Sequence, residues 1–307
     1  MSQVDIRKAL KYPPEVFMGT VIKDLSGGLN NIVVYTGLDV AKLFAGLVGF
    51  SSTAASNVAL DVTRDGVSGY ATVSDLGAVR GLDYMEELKV GALRDLIVRA
   101  RAISSVSNFT FRYLIKVSPV KAVHKLLYGG SLLPREKAVA EKLGLTESTV
   151  AFPVDVWNPY KGVLDVKFQA TSVSTTGVVL RVTPPGGYKA VLLGIASERP
   201  TAPNSFKIYV SRDGIENIME LDAYGLPTQT TWWGSPAWNT MRVVALDELL
   251  IEGEVLSGGP YNVRIVYGLA PINIVEKIAW GLELTDEEER IAEKHRLYDM
   301  VEAGLIP

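Results

Sequence analysis

The sequence predicts a mainly β protein: two tandem antiparallel β-sandwiches, jelly-roll-like, each followed by a short α-helical pair. Three observations lead there. The second half of the chain carries eight short runs of alternating apolar and polar residues. The chain matches itself in order across its two halves. Helical patterns occur only at the end of each half.

The self-match is plainest in "SPVKAVHKLLYG" (118–129), which lies over "APINIVEKIAWG" (270–281) at an offset of 152. Pro119, Val123, Lys125 and Gly129 answer Pro271, Val275, Lys277 and Gly281. Without gaps the match extends from Arg112 on Arg264 to Glu136 on Glu288, Ala140 on Ala292, Glu141 on Glu293 and Lys142 on Lys294. Amphipathic helices resemble one another along their faces, but matched prolines and glycines mark ends. A second block, "LDVTRDGVSGYATVSDLG" (60–77), lies over "IYVSRDGIENIMELDAYG" (208–225) at an offset of 148, which also brings Gly46 onto Gly194. The growth of the offset places a four-residue net insertion near residues 226–258. A period this long is a whole domain, not a solenoid repeat.

The expected strands of the second half are 164–172, 177–184, 188–197, 205–212, 216–224, 240–246, 248–256 and 261–269. Side chains alternate faces along a strand, so each run has one buried and one wetter side. Turn signals separate them: "TPPGG" at 183–187, "RDG" at 212–214 and "SGGP" at 257–260. In both halves the Asp-Gly pairs, Asp65-Gly66 and Asp213-Gly214, supply the positive φ of a tight hairpin, with Asp closing an Asx-turn. Eight short strands without intervening helices argue a sandwich or barrel. Periodicity leaves jelly-roll and immunoglobulin connectivity both open.

For the helices, Ser118 is expected as a cap with Pro119 in the first position, and Gly129 as the stop. A second helix is expected over 134–143. In the other copy Pro271 begins a helix ending near Gly281, and Thr285 and Glu288 form a capping box for a last helix running to about residue 303. Prolines in "FPVDVWNPYKG" (152–162) set the boundary near residue 154, giving domains 1–154 and 155–307.

Composition narrows the function. A 307-residue chain that is 48% hydrophobic can bury a real core, and a mean hydropathy of +0.18 leans toward self-association. A net charge of −3 without a Lys/Arg run argues against direct nucleic-acid binding. Absence of cysteine removes disulfides, thiolate metal sites and Cys nucleophiles together. The three glutamines, Gln3, Gln169 and Gln229, suit a thermophile. The charge-free runs 43–60 and 223–241 turn hydroxyl-rich or proline-bearing, so no transmembrane segment is expected.

No chemistry stands out. His124 and His295 are the only histidines, they match Glu276 and Leu143 in the other copy, and both are expected at the surface or rim. No metal, cofactor or catalytic residue is expected, and the chain is read as not an enzyme. A hydrolase on a β-sandwich is the weakest of the classes kept. The glycines of "SGGLNN" and "PPGGY" lack a phosphate-loop ending. The one odd feature is "TQTTWWGSPAWNT" (228–240), which holds Trp232, Trp233 and Trp238. These indoles seal the core, form a subunit interface, or make a platform that stacks on sugars.

Two eight-stranded sandwiches in tandem, with appended helices and no visible catalytic centre, resemble the double jelly-roll capsid proteins of icosahedral viruses. The resemblance rests on the 148/152 duplication, the strand runs and the "RDG" turns. It implies a homo-oligomer, a trimer whose six sandwiches form a pseudo-hexagonal tile or a larger shell, located in the virion after assembly in a host cytoplasm beside other virion proteins; without that role the expected location is the cytoplasm. Both copies lack long tower loops, so the likeness extends to spike, vertex, tail or cage proteins. The expected function is a non-enzymatic, self-assembling structural protein, with carbohydrate or surface binding through the Trp-rich loop as the alternative.

Overall fold

A computed structural model describes residues 4–8, 11, 15–79, 81–147, 165–228 and 241–306. The first half contributes strands β1 (Glu15–Leu25), β2 (Gly28–Tyr35), β3 (Leu43–Ser52), β4 (Val58–Arg64), β5 (Val67–Val73), β6 (Glu86–Ala92), β7 (Leu96–Ala102) and β8 (Val106–Pro119). Helices α1 (Ala122–Tyr128) and α2 (Pro134–Leu143) follow. The second half repeats the series as β9 (Asp165–Val173), β10 (Gly177–Val182), β11 (Tyr188–Ser197), β12 (Phe206–Arg212), β13 (Ile215–Asp222), β14 (Val243–Ala245), β15 (Leu249–Val255) and β16 (Tyr261–Pro271). It ends in α3 (Ile274–Trp280), α4 (Asp286–Lys294) and α5 (Leu297–Ala303).

The four sheets have strand orders β1-β8-β3-β6, β2-β7-β4-β5, β9-β16-β11-β14 and β10-β15-β12-β13. Adding eight to each label of the first pair yields the second pair, so the halves share one topology. Apart from the β4–β5 and β12–β13 hairpins, consecutive strands cross between two four-stranded antiparallel sheets, which is jelly-roll connectivity. Alternation supplies the core: Phe17, Val98, Phe109 and Phe111 in the first half and Phe206, Ile208, Val263 and Ile265 in the second are sealed from water. The charge-free run at 43–60 is β3 and the start of β4. Strand β3 is buried along nearly its whole length, since a sheet covered on both faces needs no polar side. Its counterpart β11 has a second apolar cluster, Val191, Leu193, Ala196 and Val266, on the face away from the main core.

Register corrects one sequence match. A bulge lies between Leu47 and Gly49 in β3 and between Leu192 and Gly194 in β11, so Gly194 answers Gly49, not Gly46. Helix starts also differ from expectation. Pro119 and Pro271 are the last residues of β8 and β16, and the helices begin three residues later. Lys121 is the N-cap residue of α1, so Ser118 is no cap and Pro119 no first turn, and in the other copy Asn273 caps α3 through its side chain. The expected last helix is two, because Arg296 takes the left-handed conformation (φ 54) between α4 and α5. The expected capping box of Thr285 and Glu288 is present.

Several matched identities sit at equivalent points of the two halves. Lys125 donates to Glu136 at 2.6 Å and Lys277 to Glu288 at 2.8 Å, tying each first helix to the next. The same glutamates accept the backbone N–H of Leu133 and Thr285. Gly129 and Gly281 end α1 and α3 at φ 73 and 68.

The "RDG" turns repeat as well. Asp65-Gly66 have φ 49 and 85, and Asp213-Gly214 have φ 46 and 75, the signs a two-residue type I′ hairpin needs. In place of an Asx-turn, each carboxylate reaches across to the next hairpin. Asp65 accepts the N–H groups of Leu93, Arg94 and Asp95 at 3.0, 2.7 and 3.1 Å. Asp213 accepts those of Leu246, Asp247 and Glu248 at 3.1, 2.7 and 2.9 Å. The duplicated aspartate is therefore a clamp on the loop before β7 or β15. Asp213→Ala is expected to cost about 2–3 kcal/mol and the more exposed Asp65→Ala about 1–2 kcal/mol in urea melts, since each strands three charge-assisted donors. Gly214→Val, with open space around its Cβ, should cost about 1 kcal/mol through φ alone.

Candidate interface between the halves

The strongest concentration of buried chemistry lies where the two halves meet. Val16 in β1 and Arg242, just before β14, exchange both backbone hydrogen bonds at 3.0 and 2.9 Å. That bridge joins the edge of the sheet β6-β3-β8-β1 to the edge of the sheet β14-β11-β16-β9. Next to it, Glu15 accepts from the Arg212 guanidinium and from the Val244 N–H at 2.8 Å. Arg212 also donates to the Val244 carbonyl at 2.8 Å, and both charged side chains are sealed from water. Burial lifts the Glu15 carboxyl above the usual carboxylate range, while Arg212 and the Val244 N–H pull the other way.

Smaller contacts extend the junction. The Asp5 N–H donates to the Ile218 carbonyl at 3.3 Å and the Lys8 ammonium to the Glu216 carbonyl at 2.9 Å, laying the N-terminal segment along β13. Asp83 accepts from Arg199 at 3.1 Å and from the Thr228 N–H at 3.3 Å. Gly225 packs on the methyl of Thr20 so closely that a Cβ there would sit 2.2 Å from it, and only glycine fits. Among the helices, Arg135 of α2 donates to Glu302 of α5 at 3.0 Å.

Beneath the first helix of each half lies a matched triad. In the first half, Phe44 stacks on His124 with centroids 4.2 Å apart and on Tyr128 at 5.5 Å. Strand register puts Lys189 at the place of Phe44, and Glu276 and Trp280 answer His124 and Tyr128. There Lys189 pairs with Glu276 and lies 5.4 Å from the Trp280 ring centroid. Arg242 adds a 3.0 Å bond to Glu276, linking this triad to the junction. Both third-position side chains hold the helix start: His124 Nδ1 accepts the Lys121 N–H at 3.0 Å, and Glu276 the Asn273 N–H at 3.3 Å. A ring stack in one copy is thus an ion pair in the other.

His124 is therefore buried, not at the surface or rim as expected, because its imidazole caps a helix over an aromatic floor. Burial, followed by Lys116 and Lys121, pushes its pKa down to about 3. Burial and then Arg242 bring the Lys116 ammonium down to about 8. His295 is exposed. Trp232, Trp233 and Trp238 lie outside the described residues, as does the expected boundary at residue 154. No group of three or more His, Asp or Glu suited to a metal ion occurs among the described residues, and no described helix is long and apolar enough to cross a membrane.

Sequence reasoning missed Glu15, Arg212 and Arg242. Its only available signal was the arginine before each Asp-Gly and an acidic residue opening the first strand of each copy, Glu15 and Asp165.

No protein-family model matches the chain, and no curated protein matches it. Among solved structures, an oxalate decarboxylase is similar at 10% identity, covering 95% of this chain and 79% of its own, with a TM-score of 0.20. Vicilin from Solanum lycopersicum (tomato) matches at 8% identity over 82% of this chain and 74% of its own, with a TM-score of 0.20. Streptomyces albus HEPD matches at 9% identity over 93% and 74%, with a TM-score of 0.21. Scores this low carry no argument about function. What stands of the viral resemblance is the jelly-roll architecture and the internal duplication, since no capsid family matches. The expectation that the chain is not an enzyme is withdrawn: oxalate decarboxylase and HEPD, the latter with substrate bound, are enzymes among the similar structures. At these scores enzyme status is not established in either direction.

Glu15→Ala should cost about 3–5 kcal/mol by leaving Arg212 buried without its carboxylate, whereas the double variant Glu15→Leu/Arg212→Met should melt close to wild type. The low pKa of His124 keeps it neutral when folded, while the unfolded chain takes up the proton. Stability should fall as pH drops from about 6.5 to about 3, by about 1.4 kcal/mol per pH unit from this group. Comparison of acid melts with His124→Gln, which keeps an acceptor at the helix start, isolates that slope.

Proposed function

We propose that the chain is a self-assembling structural protein, a subunit of a shell of the virion or cage kind. The repeated units are the lobes 1–154 and 155–307. The observation that supports the reading is the docking of two lobes of one topology through a buried ion pair and a shared sheet edge. One lobe already serves as a building block for the other, and a duplicated block offers matching faces for further copies. Three chains would supply six lobes. Assembly in a host cytoplasm and residence in the particle follow from the same reading.

A role at subunit contacts is proposed for Trp232, Trp233 and Trp238. Thr228 and Arg242, which flank their segment, both bond across the junction. Size-exclusion chromatography with light scattering and negative-stain electron microscopy test the reading. A multi-subunit particle or lattice is expected, and a strict monomer at high concentration would overturn it. Trp233→Ala should weaken that assembly at least tenfold; glycan binding abolished by the same change, with assembly intact, would favour the sugar platform instead.

A further inference from the structure

The junction within the chain uses one face of each lobe, and duplication leaves the counterpart of each face open. On the first lobe the buried face is the β1 edge, and its counterpart on the second lobe is β9, an edge strand with no further strand beside it among the described residues. Met18 of β1 is 0% exposed. The residue at its register position in β9, Phe168, is 54% exposed. On the second lobe the buried face is β13 with β14, and its counterpart on the first lobe is β5 with β6. Ile218 of β13 is 0% exposed, whereas Tyr70 at the matching place in β5 is 50% exposed. Val67 beside it is also exposed. The two faces that the chain buries against itself are the ones whose duplicates stay in water.

The charges of the junction are duplicated too. Pairing of β9 with β16 gives Asp165 the register position of Glu15, and Val166 that of Val16. Arg64 precedes its Asp-Gly turn as Arg212 does, and Lys89 in β6 holds the position of Arg242. By register, then, β9 holds the acid position of the closed junction, and Arg64 with Lys89, the latter paired with Glu87 in β6, holds the two basic positions. Arg64 is half-buried and lies 4.5 Å from the Tyr70 ring centroid and 4.8 Å from that of Tyr128. Its one carboxylate within reach among the described residues is Asp65, at 3.9 Å.

We propose that a second copy of this chain docks head-to-tail here, with the β9 edge of one copy on the β5–β6 face of the next. Asp165 meets Arg64 of the next copy as Glu15 meets Arg212, and Val166 pairs with Lys89 as Val16 pairs with Arg242. The contact is heterologous, so it propagates into a ring or a fibre rather than closing as a two-fold dimer. This deepens the self-assembly reading and rests on it.

Charge reversal and cross-linking test the junction. Asp165→Arg and Arg64→Asp are each expected to raise the assembly midpoint at least tenfold in sedimentation experiments, and the double reversal to restore it. Since Arg64 also packs on rings of its own lobe, Phe168→Lys and Lys89→Glu serve as variants that leave folding intact by circular dichroism, and each should show the same loss. The chain has no cysteine, so Val166→Cys/Lys89→Cys gives a clean probe. A hydrogen-bonded antiparallel pair holds its Cα atoms about 5.5 Å apart, within disulfide reach. Oxidation of assembled protein should yield a ladder of covalent multimers on a non-reducing gel. If particles form but the ladder is absent and the reversals change nothing, this junction is wrong while self-assembly stands. If the wild type is monomeric throughout, both fall. An isologous dimer indifferent to these changes also overturns the junction.

Discussion

A charge removed from water must find its opposite, and here Glu15 and Arg212 find each other across the two halves of the chain. Neither half can keep its member sealed without the other. That requirement fixes β1 against β14, since the Val244 N–H and carbonyl complete the same cluster and the adjacent Val16–Arg242 bridge sets the register. From the placement of β1 follow the course of the N-terminal segment along β13 and the approach of Gly225 to Thr20. Arg242 then carries the network on to Glu276 and the helix above it.

Comparison of the two copies separates what the lobe needs from what its position demands. The aspartate clamp, the glycine helix ends and the Lys–Glu tie between helices occur in both, because each satisfies backbone groups that every copy must satisfy. Differences gather at the junction and beneath the first helices. There one copy has Phe44 and His124 and the other Lys189 and Glu276, and one strand face is apolar and covered while its twin is open.

Much of this was legible in the chain. The eight strands of the second half fall within a few residues of their expected places, most of them because they have one drier and one wetter face; β11 and β14 are dry on both faces and were legible from their apolar, β-branched runs. The pairing of Lys125 with Glu136 hid in plain sight among the matched identities. Strand order was illegible, since alternation says which way a side chain points and nothing about which strand lies alongside. Helix starts went astray because a proline suits the last residue of a strand, where the ladder ends, as well as a first turn, and Pro119 and Pro271 close the interior strands β8 and β16. The junction escaped because Glu15 and Arg212 lie 197 residues apart with no local pattern to connect them. His124 was misplaced because nothing in its neighbours announces the ring of Phe44 from a distant strand.

The exchange of a stacked ring pair for an ion pair has a consequence for the history of the two copies. Going from one arrangement to the other takes two changes, and after the first a lone ionised group or an idle ring sits in a dry pocket. Selection sees that halfway form as a damaged protein. Once made, the difference therefore acts as a ratchet: the lobes cannot drift back into interchangeable parts, and a chimera that trades a strand without its helix inherits the incompatibility.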